Sequence, residues 1–124
     1  MTLEPQDVRA LIDIGFIAWS RGFDTEAAKI FEAIRLERPN QEAGYIGAAL
    51  VALQRGEPGR AVDHLRRIPP TDNARAFLGM ALLSYGERVE AIEVLNDVVE
   101  SADDSPPGRM ARMVLATIGA QPLS

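Results

Sequence analysis

The chain has 124 residues, of which 47% are hydrophobic and 25% charged, with a formal charge of -5 and no cysteine. That length allows one domain with a real core and little spare stability, and the composition is that of a folded soluble domain. Absent cysteines exclude disulfides, thiolate catalysis and Cys-based zinc sites, and the even mixing of charges leaves no basic stripe for nucleic acid.

In chain order, the N-terminal MTLEPQDVR carries acids ahead of any apolar run, unlike a secretory signal. No uninterrupted apolar stretch approaches the roughly 18 residues of a membrane span. A soluble protein made and kept in the cytoplasm is expected, with no membrane partner. Three segments then align with one another: Leu11 to Pro39, Tyr45 to Ile68, and Arg75 to Val98. In each, a glycine (Gly22, Gly56, Gly86) closes an apolar helical stretch, and an alanine (Ala27, Ala61, Ala91) follows five residues later. A large apolar residue comes four further on (Phe31, Leu65, Leu95) and another three after that (Ile34, Ile68, Val98). Seven positions before each glycine stands a small residue: Gly15, Ala49 or Gly79.

Glycine tolerates the left-handed conformation that ends a helix, so each glycine marks a turn between two antiparallel helices. The spacing after it puts the alanine and the large residues on one buried face of the second helix. The small residue before it lets the two helices approach closely. Beyond the third segment, SADDSPPGRM predicts a break and a new helix, with Ser105 as N-cap and Pro106 at the first helical position. That last helix runs to about Ile118, making seven helices in all, and the tail GAQPLS is expected to fray.

This pattern resembles the tetratricopeptide repeat (TPR), a helix-turn-helix unit of 34 residues. Gly22 and Gly56 are 34 apart, Pro39 stands at the family's closing proline, Ala27 at its alanine and Phe31 at its aromatic position. Gly56 to Gly86 spans only 30 residues, with Pro69-Pro70 at the shortened junction, and the family's leading Trp is replaced by Leu11, Tyr45 and Arg75. The resemblance implies one all-α domain over residues 1–124. Three repeats (about 8–39, 42–69 and 72–101) form a short right-handed solenoid, closed by a capping helix at about 106–118.

Carried onto this sequence, the family's groove-facing positions are Ile12, Phe16 and Trp19, then Ile46, Leu50 and Leu53, then Ala76, Met80 and Leu83. All are apolar, whereas TPR proteins that hold carboxylate termini of chaperones use Lys, Asn and Arg there. The resemblance therefore implies a groove for a protein partner, an amphipathic helix or an extended hydrophobic peptide. Size, acidic charge and the run WSRGFDTEAAKIFEAIRLERP are similar to the small TPR chaperones of bacterial type III secretion, which shelter an export client. Burying a client helix would release roughly 25 cal/mol per Å² of apolar surface, opposed by the cost of ordering it. Two other readings stay open: the same residues serve as core, covered by the final helix or the N-terminus, or a homodimer fills the groove and partners bind elsewhere.

No residue set supports chemistry. His64 is the single histidine and is expected at the surface beside Arg66 and Arg67. Asp103-Asp104 lacks an EF-hand pattern and is expected to help start the next helix. No GxSxG, P-loop or dinucleotide fingerprint occurs, and no sequence neighbour nominates a base for Ser20, Ser84 or Ser101. The chain is expected to be no enzyme and to need neither metal nor cofactor.

Overall fold

The structure, a computed structural model, describes residues 3–119. Within them the chain is all-helical, with no strand: α1 Pro5–Ser20, α2 Asp24–Glu37, α3 Glu42–Gln54, α4 Pro58–Arg66, α5 Asp72–Tyr85, α6 Arg88–Ala102 and α7 Pro106–Thr117. All but one residue of the tail expected to fray lies outside the described range; the exception, Gly119, follows α7. No helix among the described residues is long and apolar enough to cross a membrane. The helices fall into two compact units, α1–α4 ending at Ile68 and α5–α7 beginning at Pro69.

The three glycine turns are built alike. Gly22, Gly56 and Gly86 have φ of 82°, 74° and 93°, a region that costs glycine nothing and other residues a clash of Cβ with backbone. The residue after each glycine donates its N–H back to the helix just ended: Phe23 to the Ala18 carbonyl at 2.9 Å, Glu57 to Ala52 at 2.8 Å, Glu87 to Leu82 at 2.9 Å. This six-to-one bond satisfies a carbonyl that the helix end would orphan. The same residue then accepts from the expected alanine, Ala27, Ala61 or Ala91, and so begins the next helix.

Close approach sets the packing of each hairpin. Phe31 is fully buried, and a Cβ added to Gly15 on α1 or Gly47 on α3 would lie 2.9 Å and 2.1 Å from its ring carbons. The ring thus lies between two helix faces stripped to backbone. In the second unit, a Cβ on Gly79 would come within 2.4 Å of Leu95, and Leu95 shares its buried cluster with Ala111 of α7. Gly15, Phe31 and Gly47 are spaced by 16 residues, and so are Gly79, Leu95 and Ala111. The core of the first unit is Val8, Ala27, Phe31, Ile34 and Val51; that of the second is Ala76, Leu95, Val98, Val99, Ala111 and Leu115.

Caps and polar clips complete each unit. α4 has 9 residues against 14 in α2, the shortening anticipated ahead of Pro69-Pro70, which cannot continue a helix. Thr71 then caps α5, its Oγ1 accepting from the Ala74 N–H at 3.0 Å, and Ser105 caps α7 as anticipated, accepting from Gly108. Arg112 of α7 reaches back to the carboxylates of Asp103 and Asp104, so these acids hold the start of α7 through a partner on it. In the first unit, Leu3 donates its N–H to Glu37 at 2.6 Å while Arg38 donates to the Leu3 carbonyl at 2.8 Å. Arg55 at the end of α3 pairs with Asp24 at the start of α2, at 2.9 Å. In the second, Asp72 accepts from Arg75 at 2.6 Å and from Ser101 at 2.8 Å, joining the start of α5 to the end of α6.

Two predictions follow from this packing. Gly47→Ala and Gly79→Ala each drive a methyl into a filled site and are expected to lower stability by about 1–3 kcal/mol, read as a fall in urea midpoint at unchanged slope. An unchanged midpoint would contradict the close approach. The second concerns acid. Asp24, held down mainly by its bond from Arg55, Glu37 by the Leu3 N–H, and Asp72 by Ser101 and Arg75, lie below the ordinary values of 3.8 for aspartate and 4.5 for glutamate. A lowered folded value gives stability that is complete above those ordinary values and is lost as pH falls through the folded ones. The urea midpoint should therefore drop below about pH 4.5, and the Asp72→Asn variant should flatten that drop.

Candidate functional site

The nine apolar positions on α1, α3 and α5 are distributed between surface and core. Ile12, Phe16 and Trp19 of α1 are half-buried and pack against the cluster built on Phe31. The Phe16 ring stands edge-on to Phe31, with centroids 5.0 Å apart and planes at 63°, a favoured aromatic geometry. On α3, Ile46 and Leu50 are buried, at 3% and 6% exposure, and Leu53 is half-buried. On α5, Ala76 is fully buried in the cluster with Ala111 and Leu115 of α7, Leu83 packs against that cluster half-buried, and Met80 is half-buried.

The strip is therefore not an open apolar surface. Ile46, Leu50 and Ala76 are core, and Ala76 shares its buried cluster with residues of both α6 and the final helix. The large apolar side chains most exposed in the first unit are others: Ile14 and Ile17 of α1 at 50% and 51%, Phe23 at 55% and Leu36 at 72%. None of these was read from the sequence as a site, because helical spacing alone does not say which of two apolar faces has a neighbour.

Trp19 is the best-defined of the nine. Its indole Nε1–H donates to the Leu50 carbonyl at 3.1 Å, and its own carbonyl accepts from Gln54 Nε2 at 3.0 Å. The end of α1 is thereby tied to α3 in both directions, and Trp19 as a whole is half-buried. An aromatic held by its polar edge, with apolar area left over, is the side-chain type that anchors protein contacts.

A second constellation was underestimated in the sequence. His64 is not a plain surface residue: it is half-buried, and its Nδ1 is buried with no hydrogen-bond partner. Burial is the main cause that lowers its pKa from 6.5, followed by the nearby charges of Arg35, Arg67 and Arg60. Arg66, the anticipated neighbour, is not among those causes. The signal was legible in part, since Arg60, His64 and Arg67 at positions i, i+4 and i+7 share one face of α4; Arg35 arrives from α2 and was not. Among the described residues no group of three or more His, Asp or Glu is placed to hold a metal ion.

The chain matches no protein-family model, no curated protein and no solved structure.

Trp19 fluorescence tests the placement of the strip. A half-buried, hydrogen-bonded indole predicts emission to the blue of free indole and only partial quenching by iodide. Trp19→Phe loses the bond to Leu50 together with part of the packed ring area, which should cost about 1–3 kcal/mol in urea unfolding with helicity retained. A red-shifted, fully quenched Trp19 would contradict the contact with α3.

Proposed function

We propose that this chain is a TPR-type helical-repeat module that binds a protein partner through α1 and α3, the first helices of the hairpins in its first unit, holding an amphipathic helix against their apolar side chains. The observation that carries the reading is Trp19. It is fixed by its indole N–H to α3 while the residue stays half-buried, as do Phe16 and Leu53. A partner helix would complete that burial without first having to order the anchor, which lowers the cost of association. The recurrent glycine turns and the close-packed Phe31 and Leu95 support the repeat reading. The likeness of the sequence to small type III secretion chaperones supports a cytoplasmic chaperone whose client is an export substrate. The mechanism is then physical: the module shields an apolar client face until it is handed on, with no bond made or broken.

The burial of Ile46, Leu50 and Ala76 favours a second reading, in which the chain itself or a second copy fills the strip and partners bind elsewhere. One titration separates the two. Synthetic amphipathic helices of about 15–20 residues are added while Trp19 emission and elution volume are followed. The client-binding reading expects a saturable blue shift and a one-to-one complex. Leu53→Glu, followed by Trp19 emission, and Trp19→Ala, followed by elution volume, should each weaken it by about 2 kcal/mol or more, close to thirtyfold, with helicity unchanged. Unchanged Trp19 emission across the panel, in a protein that elutes as a dimer, would favour the second reading and sink the first.

A further inference from the structure

On the first unit, α2 and α4 frame a cleft that the apolar strip does not use. Its wider part, about 340 Å³, is lined by Arg35, Arg60, Asp63, His64 and Arg67. A narrower part of about 120 Å³ shares Arg60 and His64 and continues over small apolar side chains, among them Ala28, Ala48 and Ala52. The cleft thus has a basic mouth, and its narrower part sets this small apolar floor, with Val51, beside Arg55 and the carboxylates of Glu32 and Glu57, which pair with Arg35 and Arg60.

The donors at the mouth are partly held and partly unspent. Arg35 is fixed by Glu32, whose two oxygens accept from its Nη2 at 2.7 and 2.6 Å, and its guanidinium carbon lies 5.8 Å from the Tyr45 ring centroid. Its Nε, an obligatory donor, is nonetheless buried without an acceptor, and the Nδ1 of His64 is buried with no hydrogen-bond partner. Arg60 makes only a long 3.4 Å bond to Glu57 with its side chain 70% exposed. Arg67 lines the cleft without a carboxylate partner among the described residues.

We propose that this cleft binds a phosphoryl group carried on a small apolar stem. The guanidinium groups of Arg35 on α2, Arg60 on α4 and Arg67 just after α4 line it together with the His64 imidazole. A tetrahedral dianion with several free oxygens can use donors so arranged, whereas a planar carboxylate is satisfied by one guanidinium fork. Asp63 and Glu32 offset part of the positive charge, so discrimination rests on the number and direction of the donors rather than on net charge. The small apolar floor accepts the stem. The same chemistry is presented by a small organic phosphate or by a phosphorylated side chain of a partner. The inference does not rest on the apolar strip, and its test does not involve Trp19.

His64 is the chain's one histidine, so its imidazole NMR signals are assigned without ambiguity. Phenyl phosphate should shift them saturably at millimolar concentration and raise the pKa of His64, which burial and then the nearby arginines hold down, because a bound dianion favours the charged imidazolium beside it. Inorganic phosphate, lacking a stem, should act at the same place more weakly. Replacing the exposed arginines together, Arg60→Gln with Arg67→Gln, should weaken binding by about tenfold or more with helicity unchanged. A short peptide carrying phosphotyrosine separates the sources: tighter binding than phenyl phosphate marks a partner's side chain, equal or weaker binding a small organic phosphate. His64 signals unmoved by phenyl phosphate, a response that survives the double substitution, or an equal response to benzoate would each overturn the proposal.

Discussion

Phe31 between Gly15 and Gly47 is the contact on which the first unit depends. The ring is wider than the space that two ordinary side-chain layers would leave, so α1 and α3 must each present bare backbone to it. That requirement sets how near the two helices come to α2, and therefore to one another. It also explains why Trp19 can reach the Leu50 carbonyl across from α1. The second unit solves the same problem with a smaller key residue: Leu95 needs one glycine, Gly79, and tolerates Ala111 on the other side. Interiors packed at crystal density allow such exchanges only when the volumes balance.

Close packing at these points has a consequence for the surface. Helices that approach through glycine and alanine bring their larger neighbours partly under cover, so Ile46, Leu50 and Ala76 become core while Phe16, Trp19 and Leu53 remain half-buried. A half-buried aromatic is both a contributor to stability and a prepared anchor. Its rotamer is already fixed, and the area left exposed is what a partner has to gain. The more exposed Ile14, Ile17 and Phe23 lack that support, because their side chains have no polar edge to be held by and are not part of the cluster around Phe31.

Charge plays a different part at each end of the helices. Exposed ion pairs contribute little individually, yet those here recur at places where the chain must be held: Leu3 to Glu37 and Arg38, Asp24 to Arg55, Asp72 to Arg75 and Ser101. All involve a helix end or the segment leading into one, where backbone packing is weakest. The arginines around His64 differ, because they face a cleft and leave donors unspent rather than closing a junction. An acidic chain with this local concentration of guanidinium groups has its charge arranged by position and not merely by composition.

By itself the sequence determined the helical hairpins. Gly22, Gly56 and Gly86 enforce their turns through sterics within a few residues. Thr71 and Ser105 cap through bonds three residues long, Pro69-Pro70 halts α4, and the spacing of Ala27, Phe31 and Ile34 defines one face of α2. These are short-range constraints, and a short-range pattern records them. Only the tertiary structure decided what lies opposite each face. It buried Ala76 in a cluster with residues of α6 and α7, matched Gly47 to Phe31 from 16 residues away, and brought Arg35 to His64 from a different helix. It also divided the helices into two compact units at Ile68. The physical reason is that periodicity says which residues share a face, whereas exposure and pKa depend on how closely distant backbones approach. That distance is fixed by the sum of side-chain volumes at the contact, which no single helix contains.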